Sequence, residues 1–215
     1  MKPVFIALAA LLACCVSANA ANIAAFSQTS GSNTVTATTN LADTQTTLTV
    51  SDAVISIGQF LGVNPLTAFF DLTASSVDAA QPVGAAVIQH YSGSFCLSSA
   101  INCGGTDFLS GSFTDAAFGA IGGPGLVVNV NSPPDSLTLA SDVLSASVLA
   151  APNSFGLTFT NLTPTLHIIG STIAPFAASF AGTVSASAAP VPEPATLAVL
   201  GLSLLGIAAL RRRDG

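Results

Sequence analysis

Between residues 21 and 189 no long stretch repeats its apolar positions every 3.6 residues, and this limits the chain to folds built without long amphipathic helices. What recurs instead is short runs of alternating or β-branched residues, separated by clusters of Gly, Pro, Asn and Asp. Candidate strands fall at 34–40, 46–51, 54–57, 66–75, 86–95, 108–114, 126–130, 137–141, 156–160, 166–169 and 177–185. Many short strands with frequent turn signals predict an all-β fold, a β-sandwich or jelly-roll-like single domain over residues 21–184. Residues 185–190 (SASAAP) are small and then stiffened by Pro190, and read as a linker.

Charge narrows the partners of that domain. No Lys or Arg occurs between residues 21 and 190. Its acids are Asp43, Asp52, Asp71, Asp78, Asp107, Asp115, Asp135 and Asp142. Without cations the domain has nothing to neutralise phosphates, so nucleic acid is excluded as a partner. Solubility must come from Ser, Thr, Asn and a mild negative field. The mean hydropathy of +0.71 owes part of its value to the two chain ends, and no interior run is long enough to span a bilayer.

Two cysteines, Cys96 and Cys103, lie in the domain; Cys14 and Cys15 lie in the apolar N-terminal segment. In an exported chain such a pair defaults to a disulfide, whose small ring contributes roughly 2.5 kcal/mol by loop-closure entropy. A metal site would need two more ligands, with His90 and His167 the available histidines. Around this pair Ser92-Gly93-Ser94-Phe95 recurs as Ser110-Gly111-Ser112-Phe113. The copies could form antiparallel arms with both Phe side chains inward; chance recurrence in a Ser/Gly-rich chain is the alternative.

Little catalytic chemistry is written in the sequence. The Gly-rich run at 119–125 has no Lys and no following helix, and reads as a turn rather than a phosphate loop. His90 and His167 could each join a Ser and an Asp in a hydrolytic triad, but no Gly-x-Ser-x-Gly elbow exists and both sit in strand-like runs. No Asp-x-Asp-x-Asp-Gly loop is present; calcium bridging loops such as those of Asp107 and Asp135 stands against solvated turn aspartates. Sugar stacking is poorly provided for, with no Trp and Tyr91 as the single Tyr. No catalytic residue, resident metal or cofactor is expected, and calcium is the one ion kept in view.

The two ends of the chain carry targeting information. A positive start at Lys2, an apolar stretch over 4–13 and the small residues Ala18 and Ala20 fit a signal peptide, residues 1–20, cut after Ala20. Leu11-Leu12-Ala13 before Cys14 offers a lipoprotein site as the alternative. At the other end, Pro192-Glu193-Pro194 precedes an uncharged Leu/Ala-rich span at 195–210 with Leu197, Leu200, Leu204, Leu205 and Leu210, followed by Arg211-Arg212-Arg213. As a helix the span would measure roughly 24 Å, slightly short of a bilayer core, and arginines can snorkel to cover the mismatch. They also favour the cytoplasmic side, which places the domain across the membrane. The prolines hold the tripeptide extended, which makes it easy for a processing enzyme to grip.

Residues 191–215 resemble a PEP-CTERM sorting signal, the C-terminal tag read by exosortase, a membrane-embedded cysteine transpeptidase of Gram-negative bacteria. Pro192, Glu193 and Pro194 match the tripeptide, the Leu-rich span the transmembrane sorting helix, and Arg211–Arg213 the basic cluster. The resemblance implies exosortase as partner, a passage through the inner membrane, and delivery to the cell surface or extracellular matrix. It also implies an exopolysaccharide or biofilm setting. A non-enzymatic surface protein is the expectation; a secreted adhesive or calcium-dependent binding module is the alternative.

Overall fold

The computed structural model describes residues 21–29, 33–61, 67–84, 86–119, 125–129, 134–150 and 153–186. In chain order these form β1 (Ala21–Gln28), β2 (Val35–Thr39), β3 (Thr46–Phe60), β4 (Ala68–Ser76), β5 (Gln81–Val83), β6 (Ala86–Ala100), β7 (Gly104–Phe118), β8 (Gly125–Asn129), β9 (Ser136–Ala140), β10 (Asn153–Thr163), β11 (Ile168–Ile169), β12 (Thr172–Ile173) and β13 (Phe176–Ala186). A single helical turn, α1 (Ala146–Leu149), joins β9 to β10.

The fold is all-β, as expected, but the expected sandwich or jelly roll is replaced by a closed barrel. Its eight strands run β1, β3, β4, β6, β7, β8, β10 and β13, each antiparallel to its neighbour in chain order, and β13 returns to pair with β1. Strand periodicity reveals which face of a strand is buried; it does not reveal whether the first and last strands meet. Closure removes the open edges that a sandwich keeps. Two strand positions are broken rather than single. β2 continues the line of β1 between β3 and β13, and β9 continues the line of β8 along β7. β5 is a short addition to β6.

Eight strands leave an interior that side chains can fill, and here phenylalanine fills it. Phe26, Phe70, Phe95, Phe155 and Phe113 form one connected group, with Phe95 and Phe155 stacked at 4.2 Å. Tyr91, Phe118, Phe159 and Phe176 form a second. Alternation follows the pleat: Ala68, Phe70, Leu72 and Ala74 of β4 are buried while Phe69, Asp71, Thr73 and Ser75 between them are not.

One end of the barrel is plugged by the β11–β12 hairpin. Thr172 and Ile173 are fully buried there. Gln89, also fully buried, donates to Thr172 Oγ1 and to the Asp78 carbonyl, and its Oε1 accepts from Tyr91 Oη and the Ile173 amide. The last strand extends through Ser185 and Ala186, two residues into the segment read as linker.

Candidate functional site

The Ser-Gly-Ser-Phe copies pair with each other. In the β6–β7 hairpin Gly93 faces Phe113, Ser94 faces Ser112 and Phe95 faces Gly111. Both Phe side chains point into the core, as the antiparallel-arm reading expects. Just beyond, Cys96 and Cys103 are joined in a disulfide with a Cα–Cα distance of 6.0 Å. The turn it closes is also held by the Asn102 amide, which donates to Asp52 Oδ1 at 2.5 Å.

The same register does something that strand-by-strand reading misses. Thr36 of β2 faces Thr49 of β3, which faces Thr73 of β4, then Ser94 of β6, Ser112 of β7 and Thr138 of β9. Two residues along, Thr38, Thr47, Ser75 and Ser92 continue from strand to strand, and Thr114 faces Ser136. All of these side chains lie on the outer face, exposed or half-buried. They form a two-row band of hydroxyls six strands wide, with steps of about 4.8 Å between strands and about 6.8 Å between rows. Some hydroxyls bond within the band, such as Thr47 to Ser75 at 3.2 Å and Thr114 to Ser136 at 2.6 Å. The signal is present in the sequence as a hydroxyl on either side of one apolar or glycine residue, repeated on six strands. A residue-by-residue reading attributes these side chains to solubility alone.

Among the described residues the histidines assemble no triad. His90 Nδ1 pairs with Asp78 Oδ2 at 2.5 Å, and Asp78 Oδ1 accepts the His90 amide at 2.8 Å. The Asp78 hydrogen bond raises the imidazole pKa above its ordinary value, against a smaller opposing effect of burial. Among the described residues no serine hydroxyl bonds to the His90 ring. His167 Nδ1 bonds to the Thr165 carbonyl at 2.9 Å in the loop before β11. Tyr91 is fully buried, which removes its ring as a sugar platform.

Asp107 and Asp135 do not meet. Asp135 precedes β9, whereas Asp107 pairs its backbone with Asp142 beyond the far end of that strand, roughly 20 Å away at strand rise. Asp107 accepts from Ser110 Oγ at 2.5 Å and its amide donates to Asp142 Oδ2 at 2.9 Å. Burial pushes its carboxyl pKa up, and Oδ1 is buried without a partner.

The sorting residues lie outside the described residues. So do the signal-peptide positions Ala18 and Ala20. Among the described residues no helix is long and apolar enough to cross a membrane. Residues 190–213 match the family described as the PEP-CTERM protein-sorting motif. This chain carries a PEP-CTERM sorting motif. The match contains Pro192, Glu193 and Pro194, the leucines of the apolar span and Arg211, Arg212 and Arg213. The motif implies recognition by exosortase, export and sorting to the surface. No curated protein and no solved structure matches the chain.

Proposed function

We propose that the exosortase-processed barrel is a non-enzymatic protein of the cell surface or extracellular matrix of a Gram-negative bacterium, in contact with exopolysaccharide in a biofilm. The hydroxyl band carries the reading. It is a regular array of neutral donors and acceptors on a body that has no Lys or Arg. A hydrated polyhydroxyl polymer can exchange hydrogen bonds with such a face at little desolvation cost, directly or through bridging water. A filled core and the absence of a triad among the described residues support a role that uses the outside of the barrel.

The sorting step and the body's role are tested separately. Glu193→Ala leaves the apolar span and arginines intact, so the chain should insert and then accumulate uncut, as read by intact mass beside an exosortase-deficient strain. Unchanged maturation would count against dependence on the tripeptide. For the body, Thr49→Val combined with Thr73→Val and Thr138→Val keeps β-branched residues on the strands and removes hydroxyls. This variant should mature normally but leave the matrix fraction for the medium. Equal retention of variant and wild type in the matrix would defeat the proposed contact.

A further inference from the structure

The cysteine corner holds a third donor that the sequence does not reveal. Asp71 on β4 is the direct cross-strand partner of Cys96 on β6. One carboxylate oxygen of Asp71 and the two sulfurs all lie within 4.8 Å of one another. Neither histidine belongs to this group; His90 lies six residues before Cys96 on the same strand, roughly 20 Å away. The Asp71 carboxylate is fixed in place, because its Oδ1 accepts the Asp52 amide at 2.9 Å while Oδ2 sits 3.9 Å from Cys96 Sγ.

Contacts besides the S–S bond also hold the corner. The hairpin pairs Cys96 with Ser110, Leu97 with Leu109 and Ala100 with Gly104, and the Asn102 amide is tied to Asp52. Cys96 is buried and Cys103 is exposed, so one side of the corner faces water. Two thiolates, one carboxylate and an open position form a donor set suited to tetrahedral zinc.

We propose that the reduced protein binds a zinc-like divalent cation at Asp71, Cys96 and Cys103, and that disulfide formation closes the site. The exchange balances with a dithiol as reductant. One of its thiolates attacks the exposed Cys103 Sγ, and Cys96 Sγ leaves and takes a proton. The second thiol of the reductant then resolves the mixed disulfide, leaving Cys103 as a thiol and the reductant as a cyclic disulfide. Zinc binding displaces the two thiol protons. Asp71 disfavours a bare thiolate beside it, and the cation reverses that repulsion.

The test uses the exported chain, from residue 21 onward and so without Cys14 and Cys15, in detergent, reduced with a phosphine under anaerobic conditions and freed of reductant. Zinc is titrated against a chromophoric chelator, and cobalt is substituted to read thiolate-to-metal absorption. One metal per reduced chain is expected, with thiolate absorption that the oxidised chain and Cys96→Ser both lack. Asp71→Asn keeps both thiols and an oxygen for the Asp52 amide, and should weaken zinc at least about tenfold. That variant should still reoxidise to the disulfide, which shows the corner is formed. Reduced wild type binding no better than oxidised, or Asp71→Asn binding as well as wild type, overturns the proposal. So does loss of the far-ultraviolet strand signal on reduction, because the site requires the hairpin.

Discussion

Gly93 and Gly111 are placed by contact and not by turn geometry. Each lies opposite a phenylalanine of the facing strand, Gly93 opposite Phe113 and Gly111 opposite Phe95. A Cβ on Gly93 would sit 2.2 Å from the Thr73 carbonyl oxygen and 2.6 Å from Ala74 Cα, both backbone atoms of β4 that cannot step aside. Gly93→Ala should therefore cost about 3 kcal/mol or more, at the upper end of overpacking penalties. Gly156, also within a strand, is a matched control. The nearest atom to its added Cβ is Thr183 Oγ1 at 3.8 Å, an ordinary contact. Gly156→Ala should change stability by well under 1 kcal/mol, or raise it slightly by restricting the unfolded chain. Urea unfolding of the two variants side by side decides it, and similar midpoints would show that β4 yields to the new methyl.

The hairpin and the plug are the elements that respond most to single substitutions, for different reasons. Cys96→Ser opens the small ring and should cost on the order of 2 kcal/mol without loss of the barrel, since the β6–β7 ladder survives. Mass analysis with thiol alkylation gives the direct check; two freely alkylated thiols in native protein would sink the disulfide. Gln89→Ala would instead remove the acceptor of the Tyr91 hydroxyl and of the Ile173 amide, while the Thr172 hydroxyl keeps its bond to Thr46 Oγ1 at 2.6 Å. Most element positions are legible in the sequence because alternation reports burial. The exceptions have local causes. Asp52 looks like a turn residue and splits 46–51 from 54–57, yet it lies at a bulge with φ 49° inside one strand, β3. No alternation marks β1, because a bulge between Asn22 and Ala24 breaks its period. The hydroxyl band and the third metal-corner donor, Asp71, depend on register between strands far apart in sequence, which no single strand encodes.

At the scale of the whole molecule, electrostatics is nearly all repulsion. The body has eight aspartates, no Lys or Arg, and His90 and His167 as its histidines. Among the described residues His90–Asp78 is the ion pair. The shifts of His90 and Asp107 point the same way. The raised His90 pKa means that the folded state holds its proton more tightly than the unfolded chain; that stability is full below pH 6.5 and is lost as pH rises through the higher folded value. The raised Asp107 pKa likewise favours the protonated carboxyl in the fold, so stability falls as pH climbs from 3.8 through its folded value. The His90 pair is over a third exposed on the Asp78 side, and solvent screening keeps its share small. The mature barrel should therefore melt at progressively lower temperature from mildly acidic to mildly alkaline pH. Asp107→Asn should flatten the lower part of that curve and Asp78→Asn the upper part. Salt supplies the independent arm. Raising it from about 10 mM to about 150 mM shortens the screening length from about 30 Å to about 8 Å, which relieves repulsion among the aspartates more than it weakens one pair. The melting temperature at neutral pH should rise with salt, and a fall would mean that attraction at His90–Asp78 outweighs the field of the remaining acids.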